Sequence, residues 1–207
     1  MTEREKMLAG MPYDTSDKEL AEGRAKAHEL CLAYNLTKET QEKERAEILK
    51  ELLPCAKEGA YVQGPFYCDY GDNIRIGKNF YANFNFTVLD CCPVTIGDDV
   101  LIGPNVSLFT PVHPLCWQQR NIRKKPSGEA YDIEYAKPIV IGKNCWIAGN
   151  VTVIGGVTIG EGCVIGAGSV VTRDIPPNSL AVGNPCRVIR QITEKDRLEG
   201  VSEICLN

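Results

Sequence analysis

Aliphatic residues recur at every sixth position in two stretches of this chain, and this spacing constrains the fold more than any other feature of the sequence. The longer stretch has aliphatic residues at Ile141, Ile147, Val153, Ile159, Ile165 and Val171. The upstream stretch has the same spacing in two blocks, at Ile76, Ala82 and Val88 and at Ile96, Ile102 and Leu108. A period of six matches neither an α-helix, with a period near 3.6, nor an amphipathic strand, with a period of 2. It indicates a repeated structural unit.

Each repeat also has a small or apolar residue two positions before the aliphatic one, and glycine often follows the aliphatic one. These earlier positions are Ile74, Phe80, Phe86, Val94, Val100, Val106, Ile139, Cys145, Val151, Val157, Cys163 and Ser169. A short strand followed by a tight turn fits this pattern, and glycine would supply the turn with a positive φ or with the absence of a Cβ. The repeats therefore predict an all-β solenoid of parallel strands in which each coil packs on the next. A sandwich of ordinary strands fits less well, because its turns would fall irregularly, about 8–12 residues apart.

Length, charge and cysteine content limit the classes of function. The 207 residues allow one domain, or one domain with a small appendage. A net charge of −4 and a pI near 5.3 argue against nucleic acid or an anionic membrane as a partner. The charged residues 1–6 and the lack of an apolar run of roughly 18 residues predict a cytoplasmic protein. Ten cysteines without a CxxC pair, in a chain with two histidines, predict free thiols and no metal site.

Residues 1–60 differ in character from the repeats and predict a helical segment. Ser16 with Glu19 three positions later forms a capping-box pattern, so a helix is expected to begin at Ser16. Its apolar stripe comprises Leu20, Ala27, Cys31 and Tyr34. A second helix is expected from about Lys38, carrying Ala46, and Pro54 would end it. Two such helices cannot bury a core by themselves, so we expect them to cap the first coil of the solenoid.

The solenoid is expected to span residues 61–190, and its repeat fails at a loop covering residues 112–138. This polar excursion contains His113 and the basic run Arg123-Lys124-Lys125. A loop of this length inside a compact repeat is usually either functional or disordered. Residues 191–207 read as a charged tail or a short helix.

Several stretches resemble one known family, the hexapeptide-repeat sugar O-acetyltransferases of maltose, galactoside and nodulation type. They are the hexads, residues 79–85, residues 172–178 and the pair of N-terminal helices. Residues 68–71 and 89–93 look closer to the maltose branch than to the galactoside branch. The resemblance implies a left-handed parallel β-helix with an N-terminal α-helical cap, assembled as a homotrimer with active sites in the clefts between subunits. It also implies acetyl transfer from acetyl-CoA to a sugar hydroxyl.

His113 matches the catalytic histidine of this family, within Thr110-Pro111-Val112-His113-Pro114. A sugar hydroxyl is a poor nucleophile, so a base within hydrogen-bond reach must take its proton. The ordinary pKa of histidine, near 6.5, suits that role. A cysteine acyl-enzyme through Cys116 is the alternative mechanism, whereas the family transfers the acetyl group directly in a ternary complex.

The resemblance also implies sites for both substrates. Residues at or near family acceptor positions are Asp14, Asp69, Asn83, Asp90 and Cys91. Cys91 stands where the galactoside branch has an aspartate, and strict register would place Thr15 rather than Asp14 at the N-terminal position. Residues at coenzyme A positions are Trp146, Gly149, Ala167, Thr172, Arg173, Arg187 and Arg190. The small residues would lie along the pantetheine arm, and the threonine and arginines near the phosphates and adenine.

Other functions remain compatible with the same sequence. The acceptor could be a galactoside, a xenobiotic, an amino sugar or serine, on the same fold. A non-catalytic β-helix serving as a scaffold is a further alternative, and loss of the histidine would favour it. His113 is present, and therefore the sequence favours the enzyme.

Overall fold

The N-terminal helices form from local capping signals. The computed structural model describes residues 1–199, so residues 200–207 of the predicted tail lie outside the described residues. The first elements are α1 (Glu3–Leu8), β1 (Tyr13–Asp14), α2 (Lys18–Leu36) and α3 (Glu42–Leu52). Thr2 and Glu5 form a capping box at α1. The N-cap of α2 is Asp17, whose carboxylate accepts the amides of Glu19 and Leu20, so the prediction of a cap at Ser16 was wrong. Ser16 donates to Asp14 instead.

The rest of the chain winds into coils of three short strands each. The first coils contain β2 (Tyr61–Val62), β3 (Phe66–Cys68), β4 (Ile74–Ile76), β5 (Tyr81–Ala82), β6 (Phe86–Leu89), β7 (Val94–Ile96), β8 (Leu101–Ile102) and β9 (Ser107–Phe109). An insertion follows, with β10 (Pro111–Val112), α4 (Trp117–Arg120), β11 (Arg123–Lys124), β12 (Ala130–Tyr131) and β13 (Ile133–Ala136). The later coils contain β14 (Ile139–Ile141), β15 (Trp146–Ile147), β16 (Thr152–Ile154), β17 (Thr158–Ile159), β18 (Val164–Ile165), β19 (Val170–Val171), β20 (Ser179–Val182) and β21 (Arg187–Gln191). A 3₁₀ turn at Glu194–Asp196 comes last.

The strands stack into three faces, which confirms the predicted parallel β-solenoid. Face 1 has the order β17-β14-β7-β4, face 2 the order β2-β5-β8-β15-β18-β20-β21, and face 3 the order β19-β16-β9-β6-β3. Pairing within the faces is parallel, apart from β21, which is antiparallel to β20. The hexads therefore stack directly above one another, about 4.8 Å apart.

The core consists of the two side chains that each hexad turns inward. Every one of the twelve aliphatic repeat positions is at most 2% exposed, and every one of the preceding positions is at most 3% exposed. Face 3 shows the alternation clearly, since Phe86 and Val88 on β6 are buried while Thr87 and Leu89 are partly exposed. The hydrophobic period read from the sequence therefore corresponds directly to the core.

Glycine and asparagine both shape the turns between faces. The Gly97 φ lies outside the left-handed region, but a Cβ there would lie 2.5 Å from the amide nitrogen of Lys143 in the next coil. Positive φ falls on residues that follow such turn positions, with values of 54–60° at Asn79, Asn85, Asp99, Asn105, Asn144, Asn150 and Asn178. Asparagine and aspartate tolerate this conformation better than other residues with a side chain. Glycine takes the same conformation at the equivalent positions Gly162 and Gly168, with φ values of 66° and 72°, as the sequence predicts.

The helices cover the first coil, as expected for a cap. The four predicted stripe residues of α2 are all at most 3% exposed. On α3 the prediction was less accurate, because Ala46 is exposed while Arg45 is buried. The Arg45 guanidinium donates to the Tyr34 hydroxyl at 3.0 Å and to the Val62 carbonyl at 3.3 Å, and it lies over the Tyr34 ring. This side chain joins α2, α3 and the first coil.

The insertion packs on its own chain through β13. This strand pairs antiparallel with β10 on one side and with β1 on the other. Tyr13 lies opposite Glu134 in that ladder, although 121 residues separate them in sequence. The unpredicted strand β1 therefore holds the base of the insertion against the solenoid.

Candidate active site

The predicted site residues lie along two different edges of the solenoid. We call the turns from face 2 to face 3 the 2–3 edge, formed by residues 83–85, 103–105, 148–150 and 166–168, and the turns from face 3 to face 1 the 3–1 edge. Asn83, Gly149 and Ala167 lie on the 2–3 edge. Asp69, Asp90, Cys91, His113, Thr172 and Arg173 lie on the 3–1 edge or in the insertion that leaves it. The face 3 strands separate the two edges by about 15 Å, at roughly 3.3 Å per residue.

His113 lies directly after β10, at the base of the insertion. Its Nε2 atom lies 3.1 Å from Oε1 of Glu134, and the imidazole is 49% exposed whereas the Glu134 side chain is 16% exposed. The other carboxylate oxygen of Glu134 accepts a hydrogen bond from the Tyr13 hydroxyl at 2.7 Å. Glu134 therefore favours the tautomer that carries its proton on Nε2, which leaves the Nδ1 lone pair as the basic position.

Tyr13 is almost fully buried and anchors this group. Burial, with Cys91 and Glu134 beside it, raises the pKa of the Tyr13 hydroxyl. The hydroxyl consequently stays protonated and can act as a hydrogen-bond donor to Glu134. The carboxylate between Tyr13 and His113 is thereby held in one position.

A chain of polar contacts continues from this group down the 3–1 edge. Cys91 lies beside Tyr13, and its thiol donates to Oδ2 of Asp69 at 3.5 Å. Burial raises the pKa of Cys91, so the thiol stays neutral. Oδ1 of Asp69 lies 3.7 Å from Nε2 of His28, on helix α2. The helical cap thus meets the predicted acceptor residue Asp69.

Asp90 is fully buried, and its carboxylate binds backbone amides. The sequence analysis expected this side chain to contact the acceptor sugar. Its carboxylate accepts the amides of Asp69, Tyr70 and Gly71 at 3.0, 2.9 and 2.8 Å. Burial raises the pKa of Asp90 to about 6, while the amide hydrogen bonds act in the opposite direction. Asp90 therefore positions the segment that carries Asp69.

The carboxylate of Asp14 is already engaged. Its Oδ2 atom lies 2.7 Å from Nζ of Lys125, and its Oδ1 atom accepts from the Ser16 amide and hydroxyl. Burial raises the pKa of Asp14, but the hydrogen bonds from Lys125 and Ser16 outweigh it and hold the pKa below its usual value. Thr15, the alternative in strict register, donates to Asp132. Both residues join the insertion to the N-terminal segment.

The 2–3 edge presents a line of polar and small residues. Asn83 Oδ1 accepts the amide of Phe84 at 2.8 Å, so the side chain is oriented by its own turn. Gly149 and Ala167 occupy the same edge in successive coils, and the Gly168 amide donates to the Gly149 carbonyl at 3.0 Å. Trp146 is 52% exposed on face 2 next to this edge. The small residues leave space along the edge for an extended chain.

Two of the four predicted phosphate-end residues lie on the 3–1 edge, and the other two lie on face 2. Thr172 and Arg173 follow β19 on the 3–1 edge, and Arg173 is exposed. Arg187 and Arg190 lie on β21 beside β20. Arg190 forms a two-pronged ion pair with Asp196, at 2.8 and 2.6 Å, and this contact lowers the pKa of Asp196 to about 2.

Sequence reasoning missed Glu134, Tyr13 and His28. Nothing in the repeat marks Glu134 or Tyr13, because their contact is made by strands far apart in the chain. An acidic residue in the insertion was the available signal, and several are present there. His28 lies on helix α2 and faces Asp69.

Within residues 1–199, no group of three or more His, Cys, Asp or Glu side chains is arranged to hold a metal ion. The nine cysteines in that range are free thiols, and Cys116 is exposed on the insertion. None of the helices in this part of the chain has the length and apolar character required to span a bilayer.

Three family models match successive parts of the chain. Residues 6–56 match the maltose acetyltransferase hexapeptide capping motif. Residues 138–173 match the bacterial transferase hexapeptide of six repeats, and residues 93–113 match the hexapeptide repeat of succinyl-transferase. The matched ranges cover the helical cap, the Ile96–Leu108 repeats and the repeats that follow the insertion.

Similar proteins cover almost the full length. Galactoside O-acetyltransferase from Escherichia coli K12 is 44% identical over 197 residues, covering 95% of this chain and 92% of that protein. The structure of a maltose O-acetyltransferase from Clostridium difficile 630 has a TM-score of 0.83 at 46% identity and covers 94% of this chain and 99% of its own. The structure of a galactoside acetyltransferase in complex with coenzyme A has a TM-score of 0.86 at 43% identity. It covers 95% of this chain and 94% of its own.

Proposed function

The chain belongs to the hexapeptide-repeat acetyltransferases of the maltose and galactoside O-acetyltransferase type, and from this membership we infer that it moves an acetyl group from acetyl-CoA to a sugar hydroxyl. The acceptor is a sugar of glucose or maltose type. The observation that carries the proposal is the position of His113, half-exposed at the 3–1 edge and backed by the partly buried carboxylate of Glu134. A base in this setting suits proton transfer from a neutral hydroxyl.

His113 acts as the general base in a direct transfer. Nδ1 accepts the proton as the sugar oxygen bonds to the acetyl carbonyl carbon, and the C–S bond then breaks. The imidazolium returns that proton to the departing sulfur, so coenzyme A leaves as the thiol. Glu134 stabilises the imidazolium through Nε2 during this cycle. Cys116, the alternative nucleophile, is three residues away on the insertion and is not required by this route.

The complete site forms between two subunits. His113 and Asn83 lie on edges about 15 Å apart in one chain, so a single chain cannot bring both to one acceptor ring. If the 3–1 edge of one subunit packs beside the 2–3 edge of the next, the two sets of residues meet. A closed threefold ring provides this arrangement at every interface.

Face 2 supports this assembly because its outward column is apolar. Tyr61, Tyr81, Leu101 and Trp146 lie in register on successive strands and are 37–52% exposed. The corresponding outward positions of face 1 include Arg75 and Thr95. An apolar column of this length on a solenoid surface is typical of a face that another subunit covers.

The residues along the 2–3 edge suit coenzyme A. Gly149 and Ala167 would allow the pantetheine arm to lie close to the backbone, and Trp146 would flank it. Arg187 supplies positive charge for a phosphate, and Arg173 of the adjacent subunit would approach the same end. Acetyl-CoA supplies the activated acetyl group.

Asp69 and Asn83 are proposed to bind the acceptor. The occupied amide oxygen of Asn83 leaves Nδ2 to donate to a sugar hydroxyl, and Asp69 accepts from one. Asp90 and Asp14 are set aside because their carboxylates are already engaged, and buried Cys91 supports Asp69 from behind.

A panel of acceptors tests the function. Acetyl-CoA is mixed with the enzyme and with glucose, maltose, methyl galactoside, glucosamine or serine, and thiol release is followed. Glucose and maltose should give the highest turnover. Higher turnover of methyl galactoside would support the galactoside alternative. If none of the acceptors caused thiol release, the assignment of a sugar acceptor would be overturned.

A further inference from the structure

Two cysteines from different parts of the chain meet where the helical cap packs on the solenoid. Cys31 lies on the buried side of helix α2, and Cys68 ends strand β3 in the first coil. Their Sγ atoms are 3.7 Å apart, although 37 residues separate the two positions in sequence. The sulfurs of a disulfide are about 2.0 Å apart, so each of these atoms has to move by only about 1 Å to form one.

A small solute can reach both thiols even though little of either residue is exposed. Cys31 is 3% exposed and Cys68 is 2% exposed. Both nevertheless line a groove of about 330 Å³ between α2 and the solenoid, whose walls also carry the exposed side chains of Leu32 and Tyr67. A water molecule takes up about 30 Å³ in the liquid, so the groove has room for a molecule as small as hydrogen peroxide.

The contact between the two thiols makes them unequal in reactivity. A hydrogen bond from Cys68 lowers the pKa of Cys31, and the same contact raises the pKa of Cys68. The thiolate is the nucleophilic form of cysteine, and sites of reversible oxidation often have a low-pKa thiol beside a second cysteine. Cys31 is therefore the sulfur expected to react first, and Cys68 is placed to react with the product.

Cys145 and Cys163 provide a contrast within the same molecule. They point into the solenoid core from successive coils and are at most 1% exposed. Their thiols donate to the carbonyl oxygens of Gly160 and Pro176, each at 3.1 Å. Burial raises the pKa of both thiols. These two cysteines are therefore expected to stay protonated and unreactive.

We propose that Cys31 and Cys68 form a reversible disulfide when the protein meets hydrogen peroxide, and that this bond links the helical cap covalently to the solenoid. The Cys31 thiolate attacks one peroxide oxygen, the O–O bond breaks, and the second oxygen leaves as hydroxide and becomes water. Cys31 is then a sulfenic acid. The sulfur of Cys68 gives up its proton and attacks the Cys31 sulfur, and the S–O bond breaks to release a second water. The two sulfurs are oxidised, the peroxide is reduced, and a dithiol restores both thiols by exchange.

Peptide mapping of the full-length protein tests the disulfide directly. Reduced protein is freed of reductant and treated with hydrogen peroxide, its remaining thiols are alkylated in denaturant, and it is digested with trypsin. Residues 27–38 and 58–75 form separate tryptic peptides with one cysteine each, and they should appear joined until a dithiol is added. Peptide 144–173, which holds Cys145 and Cys163, is the internal control and should stay reduced. Absence of the joined peptide, or equal oxidation of the control peptide, would overturn the proposal.

Thermal unfolding tests the link between cap and solenoid. A disulfide that closes a loop of this length restricts the unfolded chain, so the peroxide-treated wild type should have a Tm about 5 °C or more above that of the reduced protein. Cys31→Ala and Cys68→Ala should lose this increase, whereas Cys116→Ala, which removes an exposed thiol, should keep it. An increase that survives in the first two variants, or a disulfide in the wild type without any increase, would contradict the covalent link. Neither measurement uses acetyl transfer, so both results are independent of the proposed function.

Discussion

The Nε2 atom of His113 lies 3.1 Å from Oε1 of Glu134, a carboxylate brought there by strand β13. The same carboxylate accepts from the buried hydroxyl of Tyr13 on β1. Three side chains from three segments of the chain thus set the orientation of one imidazole.

His113→Ala should lower kcat by about 10²–10⁴-fold, the usual contribution of a general base. The KM for acetyl-CoA should change little, because the 2–3 edge is untouched. Cys116→Ser is the matched control on the same insertion and should retain activity. Normal turnover in His113→Ala, or loss in Cys116→Ser, would contradict direct transfer through the histidine.

Glu134→Gln should lower kcat by about 10-fold or more, since an amide cannot stabilise the imidazolium by charge. The KM for acetyl-CoA should stay close to that of the wild type, because the residues proposed for coenzyme A lie away from Glu134. Glu129→Gln, an exposed change on the same insertion, serves as the control. A normal kcat in Glu134→Gln, or an equal loss in Glu129→Gln, would contradict this role of the carboxylate.

Mixing two inactive variants tests whether the site spans subunits. His113→Ala and Asn83→Ala should each be impaired alone, and a remixed 1:1 population should regain activity at about one quarter of the interfaces of a threefold ring. Recovery is expected because some interfaces then pair an intact His113 with an intact Asn83. Absence of recovery after verified subunit exchange would place the site within one chain.

Leu101→Glu should weaken assembly, because it places a charge in the apolar column of face 2. Sedimentation of the wild type is expected to show three times the chain mass of 22.8 kDa, and the variant a smaller species. Thr95→Glu, outward on face 1, is the control and should sediment like the wild type. Equal sedimentation of all three would contradict an interface on face 2.

Arg187→Ala should raise the KM for acetyl-CoA about 10-fold, because a charge-assisted contact to phosphate is lost. The kcat at saturation should remain close to that of the wild type. Arg197→Ala provides a control, since that exposed arginine pairs with Glu194. An unaltered KM in Arg187→Ala would remove this residue from the coenzyme A site.

Asp90→Asn should destabilise the fold by about 1–3 kcal/mol near pH 4.5, because an amide cannot accept all three backbone hydrogen bonds. The pKa of Asp90 is raised to about 6 in the folded protein, so the folded state holds its proton more tightly than the unfolded state. Stability from this group is then greatest below about pH 4 and declines as the pH rises through 6. Urea unfolding of both proteins should show the deficit of the variant shrinking over that range. A deficit independent of pH would contradict the raised pKa.

The sequence by itself determined the solenoid and the position of its core. Each hexad uses the same local rule, in which two side chains point inward and a turn follows, so Ile141 and Ile165 can be assigned without knowing any distant contact. His113 was found for a similar reason, because it stands where the repeat ends and matches a short local motif. Local sequence signals still placed the N-cap of α2 one residue too early, because Ser16 and Asp17 are both good N-cap residues.

Only the tertiary structure decided which side chains surround the histidine. Tyr13 and Glu134 meet across 121 residues because β13 returns antiparallel to β1, and no periodicity specifies that pairing. The sequence did not distinguish Asp69 from Asp90 as acceptor contacts. In the structure Asp90 is buried and accepts three backbone amides, whereas Asp69 faces His28. The separation of Asn83 from His113 likewise became visible only when the coils were stacked. Local periodicity specifies which residues turn inward, whereas contacts between distant segments depend on the packing of the whole chain.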